Sequence, residues 1–213
     1  MDYGAGDPRV LNAIHGRPGG SIGICFIEWS GEEEQRVVVD STAIRDEEDA
    51  GVVAASILAA PRSFMGRTSI SSGIDFAVVQ FARSKWQVER RINDISGDGT
   101  NNSGRSVTQA RDQAVSTGLT INGLAIINDS PNLGYSGHSH PPGGLENYYR
   151  QNVIGGPNAF VLVVEDFKSF ADAMAGQGDR CRGPVGRWPD LLASLTVGQG
   201  RPEHRRQGAA TAD

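Results

Sequence analysis

The densest polar stretch of the chain is DISGDGTNNSG, residues 94–104, which follows the run ERRIN directly. It contains Ser96, Asp98, Asn101 and Asn102, whose side chains offer hydroxyl, carboxylate and amide oxygens. Ligands of an open parallel sheet bind beyond the carboxyl ends of its strands, where loops meet helix N-termini, so these residues are predicted to lie on a ligand-binding edge. The same residue types also build turns and helix caps. Their spacing alone supports a ligand-binding role and a turn-building role equally.

The same loop contains a near match to a phosphate-binding loop. Residues 99–106, GTNNSGRS, fit the pattern G-x-x-x-x-G-K-[ST] except that Arg105 replaces the lysine. A planar guanidinium differs from the compact ammonium that reaches terminal phosphates, and no apolar strand with a clear magnesium-binding aspartate accompanies the loop. A P-loop-like nucleotide-binding enzyme is therefore the alternative function, and the weaker one.

Other residues that could do chemistry lack a complete set of partners. Glu28 ends the stretch FIE and either faces the ligand edge or pairs with an arginine such as Arg67. His138 and His140 lie two positions apart in a Gly/Pro-rich stretch without a visible third metal ligand. No serine lies in a nucleophile-elbow setting with an identifiable histidine and acid, so the chain is predicted not to be an enzyme.

The elements that would position these residues alternate along the chain. Near-continuous apolar runs at 21–29, 120–128 and 159–166 predict strands covered on both faces of a parallel sheet. A short hairpin predicts one additional, antiparallel edge strand at 35–42. Helical periodicity predicts helices at 46–60, 69–84, 106–118 and 166–175. Asp46 is expected to cap the first of these helices, whose first turn is acidic. The expected fold class is α/β: a doubly wound, mostly parallel sheet with helices on both faces and one antiparallel edge strand.

Composition restricts the remaining possibilities. The chain has 213 residues, 38% of them hydrophobic, which suits one domain, predicted at 1–175. Residues 176–213 are rich in Gly, Arg, Pro and Ala and are predicted to be a disordered tail, with one short helix at WPDLLASL. A net charge of -5 argues against nucleic acid. Neither a membrane span nor a signal peptide is visible, so the chain as written is expected to be cytoplasmic.

Five stretches together resemble the von Willebrand factor type A fold, and more closely a bacterial type A-like family of unknown function (domain of unknown function 1194). They are FIEWSG, RSFMGRTSIS, RRINDISGDGTNNSG, GLTINGLAIIND and YYRQNVIGGPNAFV, which span positions 26–161. The resemblance covers roughly residues 7 to 175. It implies a non-enzymatic binding or adhesion module whose partner is an unknown protein. It also implies that complete relatives are exported or periplasmic.

The resemblance further implies a metal-ion-dependent adhesion site. Type A domains commonly hold Mg²⁺ with three loops: an Asp-x-Ser-x-Ser motif after the first strand, a threonine and an aspartate. Thr68 in GRTS matches the threonine, and Asp98 in SGDG matches the aspartate. Magnesium prefers hydroxyl and carboxylate oxygens, which agrees with this assignment.

One part of the family pattern has no counterpart in this chain. Nothing matches Asp-x-Ser-x-Ser, and MDYGAG falls within the helix that would follow that motif. The domain is therefore expected to be N-terminally incomplete, to lack its central first strand and to bind Mg²⁺ weakly or not at all. A frameshift near Ala175 would explain the composition of the tail.

Overall fold

A computed structural model describes residues 12, 15, 20–64, 66–86, 88, 90–127 and 140–164, and the backbone of residues 191–198. The strands are β1 (Ile22–Trp29), β2 (Gln35–Ile44), β3 (Arg90–Gly97), β4 (Leu119–Ile126), β5 (Val161–Val164) and β6 (Leu191–Gly198). The helices are α1 (Glu47–Ala59), α2 (Ile70–Arg83), α3 (Val107–Ser116) and α4 (Gly144–Asn152). None of these helices is long and apolar enough to cross a membrane.

The six described strands form one sheet in the order β2-β1-β6-β3-β4-β5. β1 and β2 pair antiparallel, as the short hairpin between them predicts, and every other neighbouring pair is parallel. The predicted α/β class, with a mostly parallel sheet and one antiparallel edge strand, is confirmed. Parallel strands also explain why the apolar runs are nearly continuous, since both faces of the sheet are covered.

The two faces of the sheet belong to different core clusters. Alternate residues of β1, Cys25, Ile27 and Trp29, pack on the face that carries α2, α3 and α4. The residues between them face the opposite side, where Ala50 and Val53 of α1 join a second cluster. Cys25 is buried in the first of these clusters, and burial raises the pKa of its thiol to about 11.

β6 corrects two expectations. Residues 191–198 were predicted to lie in a disordered tail, with a helix at WPDLLASL, yet they form an extended strand between β1 and β3. Eight register pairs join β6 to β1 and seven join it to β3. The central position expected to be vacant is thus filled from the other end of the sequence. Long-range strand pairing outweighs a weak local helical preference.

Some expectations concern residues outside the described ranges. The predicted helix at 166–175 and the rest of the tail, 176–190 and 199–213, belong to this group, so the domain boundary at 175 stays a prediction. Among the described elements, α4 was not predicted, because two glycines precede its short periodic stretch. The cap of α1 was predicted correctly: the Asp46 side chain accepts a hydrogen bond from the Asp49 amide at 2.9 Å.

Candidate functional site

Three loops meet at the carboxyl ends of β1 and β3. Ser30 follows β1, Thr68 and Ser69 precede α2, and residues 98–106 connect β3 to α3. The Ser69 amide donates to the Ser30 carbonyl at 2.7 Å. The Thr68 amide donates to Oδ1 of Asn102 at 2.9 Å, and the Asn102 amide donates to the Thr68 carbonyl at 2.8 Å. The adjacent residues Thr68 and Ser69 therefore connect the loop after β3 to the loop after β1.

This arrangement brings together the loops that carry the two predicted metal ligands. Thr68 is buried, with 5% of its surface exposed, and its backbone is paired with the loop that contains Asp98. Burial raises the pKa of the Tyr149 phenol on α4, and the charge of Asp98 raises it further. No cluster of three or more His, Cys, Asp or Glu side chains suited to a metal occurs among the described residues. A cation here would depend on hydroxyl, carboxylate and water oxygens.

The two asparagines in the loop hold its shape. Oδ1 of Asn101 accepts from the Ser71 amide at 3.0 Å, and its Nδ2 donates to the Ser103 carbonyl at 3.0 Å. Its backbone amide donates to the Tyr148 hydroxyl, also at 3.0 Å. Since the side chain of Asn102 is bonded to the Thr68 amide, both residues perform the turn-building role that was the alternative to ligand contact.

Glu28 pairs with an arginine, but the residue is Arg36 rather than Arg67. The two are opposite each other in the β1–β2 ladder, and Nε of Arg36 lies 2.8 Å from Oε2 of Glu28. The other carboxylate oxygen accepts from the Ser63 amide at 2.9 Å. Directly opposed residues of a hairpin are close enough to pair, a relation that depends on register. Glu28 lines an open cavity of about 190 Å³ on the α1 side of β1.

Ser96 lies inside the sheet rather than on its rim. It is fully buried, and its hydroxyl has no hydrogen-bond partner among the residues that the structure describes. A ligand therefore cannot touch this hydroxyl unless the surrounding chain moves. The candidate pair of histidines cannot be compared with the structure in the same way, because His138 lies outside the described residues.

The geometry of residues 99–106 does not favour a phosphate cradle. In such a loop the backbone amides and the basic side chain point towards the phosphates. Here the Asn101 and Asn102 amides are bonded to Tyr148 and Thr68. Nε of Arg105 donates to Asp75 of α2 at 2.8 Å, and Nη2 donates to Gln113 of α3 at 2.9 Å, so the guanidinium is engaged by these two helices.

Sequence reasoning missed a buried polar pair below this edge. Asp94 and Asn122 are register partners in β3 and β4, and Nδ2 of Asn122 donates to Oδ1 of Asp94 at 2.8 Å. Burial raises the pKa of Asp94 to about 6, although the Asn122 hydrogen bond acts in the opposite direction. The signal was weak, because Asp94 lies in a mostly polar segment, RRINDISG, and only the register shows that it meets Asn122.

The fold and these loops define an α/β domain with a polar carboxyl edge. The chain belongs to the family described as "Protein of unknown function (DUF1194)", whose model matches residues 4–177. None of the curated proteins compared matches the chain.

Three solved structures share the fold. Proximal thread matrix protein 1 from the mussel byssus is 13% identical with a TM-score of 0.56, and the match covers 84% of this chain but 42% of that one. BatB from Bacteroides thetaiotaomicron is 16% identical with a TM-score of 0.52, covering 82% and 86%. An aerotolerance-related membrane protein from Bacteroides fragilis is 13% identical with a TM-score of 0.50, covering 84% and 88%. At these identities the likeness shows the fold alone.

Proposed function

We propose that the chain is a non-enzymatic, von Willebrand factor type A-like binding module whose ligand face is the carboxyl edge of its sheet. The observation that carries the proposal is the pair of hydrogen bonds between Thr68 and Asn102, which holds the threonine loop against the loop that contains Asp98. Family membership and the doubly wound fold support the same class of module. The loops are held by their own hydrogen bonds, which suits a preformed binding surface.

In this proposal Thr68 and Asp98 hold one Mg²⁺. Their hydroxyl and carboxylate oxygens are hard donors of the kind that the ion prefers, and water supplies the remaining positions of its octahedral shell. Two protein ligands are few, so we expect affinity on the order of millimolar. An exposed coordination position would accept a carboxylate from a partner protein, and that contact would make binding dependent on the ion.

The test is calorimetric titration of Mg²⁺ into the parent chain and into Thr68→Ala and Asp98→Ala. Asp112→Ala is the matched control, because Asp112 is an exposed carboxylate on α3. We expect weak binding in the parent and the control, and none in either test variant. The variant that carries both substitutions should lose no more Mg²⁺ affinity than either single variant, because one substitution already disables a shared site. Absence of Mg²⁺ binding in the parent, or equal binding in all of these proteins, would refute the metal site.

Stability measurements separate ligation from a structural role. If Asp98 is a ligand, its replacement in metal-free buffer should leave the melting temperature unchanged or slightly higher, because a carboxylate that the ion would neutralise is removed. If Thr68 and Asp98 only build the turn and cap, each alanine should cost about 1 kcal/mol and leave Mg²⁺ binding intact. The two roles thus predict opposite patterns.

A further inference from the structure

The middle of the sheet is built from a segment that is remote in sequence. β1 and β3 do not neighbour each other, and each of them pairs in parallel with β6. Adjacent strands lie about 4.8 Å apart, so β1 and β3 are separated by about twice that distance and cannot bond to each other directly. Without β6, both would present unpaired backbone N–H and C=O groups to a gap one strand wide.

The two sides of this gap remain connected by other elements. Ile70 and Ile74 of α2 pack in the same cluster as Ile27 of β1 and Ile95 of β3. At the carboxyl end of the gap, Ser69 is bonded to Ser30 beyond β1, and Thr68 is bonded to Asn102 beyond β3. The gap is therefore framed by a helix on one face and by the 66–69 loop at one end.

The segment that fills the gap has an uncharged sequence, which suits a position between strands with buried residues. Its sequence, LLASLTVG, is uncharged and rich in leucine and β-branched residues. Thr196 takes the register position between Ile27 and Ile95, both of which are fully buried. We therefore expect a charged residue at this position to be excluded. In sequence, β6 is separated from β1 and from β3 by more than ninety residues, so it reaches the gap from a distant part of the chain.

We propose that the gap between β1 and β3 is a binding site for one extended, uncharged, parallel strand, and that residues Leu191–Gly198 occupy it as a detachable ligand. Pairing on both edges supplies affinity, and the buried register positions supply selectivity, as in other modes of strand addition. The last residue of the strand, Gly198, is the register partner of Trp29, which directly precedes the Ser30 that is bonded to Ser69, so departure of the strand would remove the backbone pairing between the two sides of the candidate site. The proposal depends on neither Mg²⁺ nor a partner protein.

The test is strand exchange in the full chain. A protease recognition sequence is inserted between residues 183 and 184, the folded protein is cut there, and native mass spectrometry follows the fragments. We expect the 184–213 fragment to stay bound in a one-to-one complex. A labelled peptide of residues 188–205, in excess, should then replace it. Loss of the fragment on cutting together with failure of the peptide to bind would overturn the proposal.

Peptide variants test the mode of binding. Thr196→Val keeps size and β-branching, so it should bind within about threefold of the parent peptide. Thr196→Asp introduces a charge, and Leu195→Pro removes a backbone donor and obstructs the ladder; each should bind at least about tenfold more weakly. Equal exchange by the parent peptide and all of its variants would show non-specific association and would refute the site.

Hydrogen exchange on the uncut Leu195→Pro chain provides an independent measurement. If β6 is detachable, amides of β1 and β3 that face the gap should exchange faster, while β4 and β5 keep their protection. Faster exchange across the whole sheet would show that β6 is an integral part of the folding core rather than a ligand, and would overturn the proposal.

Discussion

Replacing Asp94 with asparagine should stabilise the protein at neutral pH. Asp94 is 7% exposed, and its carboxyl accepts a hydrogen bond from Asn122, but the residue lies within the sheet, where burial disfavours the charged form. The amide of the Asp94→Asn variant would have nearly the same shape and could still accept the bond from Asn122, yet it cannot ionise. The substitution therefore removes the cost of a buried charge without opening a cavity.

The magnitude follows from the pKa of this carboxyl, which burial raises from 3.8 to about 6. The folded protein keeps the proton up to about pH 6, whereas the unfolded chain releases it near pH 3.8. Between these values the folded state binds more protons, so the free energy of unfolding falls as pH rises. Above about pH 6 the full cost of about 3 kcal/mol applies. Allowing about 1 kcal/mol for an imperfectly bonded amide, we expect Asp94→Asn to gain about 2 kcal/mol at about pH 7.

Urea unfolding at several pH values between about 4 and 7.5 measures this effect. The parent should lose stability between about pH 4 and about pH 6 relative to the variant, and the two should be nearly equal at about pH 4. Asp112→Asn is the control, since it removes an exposed carboxylate and should change stability by less than about 0.5 kcal/mol. A variant less stable than the parent at neutral pH, or a difference that does not depend on pH, would refute the reasoning about burial.

Three further outcomes are expected. Gly104→Ala should cost at least about 1 kcal/mol more in urea unfolding than Gly118→Ala, because both have positive φ but only the first would place a Cβ 2.6 Å from the Ser69 hydroxyl; equal costs would contradict this packing. ATP with Mg²⁺ should not raise the melting temperature, and a saturable rise abolished by Arg105→Ala would favour the nucleotide-binding alternative. Ser96→Ala should leave the free energy of unfolding unchanged or raise it by up to about 1 kcal/mol, because it removes a buried hydroxyl without a described partner. If calorimetry showed that this variant had lost Mg²⁺ binding, Ser96 would be a ligand instead.

Local signals were sufficient for most elements and for one side-chain cap. Apolar runs predicted β1, β4 and β5 to within about two residues, and the periodic stretches predicted α1, α2 and α3. Asp46 was identified as a cap from its position directly before an acidic first turn, and in the structure it accepts from the amide three residues later. For the candidate site, the sequence indicated Thr68 and Asp98, and the structure brings their loops together. Their role as ligands stays a prediction.

Relations between distant residues were not predicted. Glu28 and Arg36 meet because the β1–β2 register places them opposite each other, and Arg67 was an equally reasonable partner on charge alone. Arg105 was compared with a P-loop lysine by its position in a motif, whereas its carboxylate partner, Asp75, lies 30 residues away on α2. A side chain with several donors takes the acceptor that the fold brings near, and a motif does not contain that information.

By itself, then, the sequence determined the α/β class, the antiparallel edge strand and the polar character of the carboxyl edge, because each depends on patterns within a few residues. Only the tertiary structure decided which segment completes the sheet: Ile22 is paired with Leu191, and no local pattern in LLASLTVG indicates a partner so far away. It also decided the environment of Asp94, since the same carboxyl has an ordinary pKa in an unfolded chain and a raised one within a sheet. Pairing and desolvation depend on neighbours in space, and those neighbours exist only after folding.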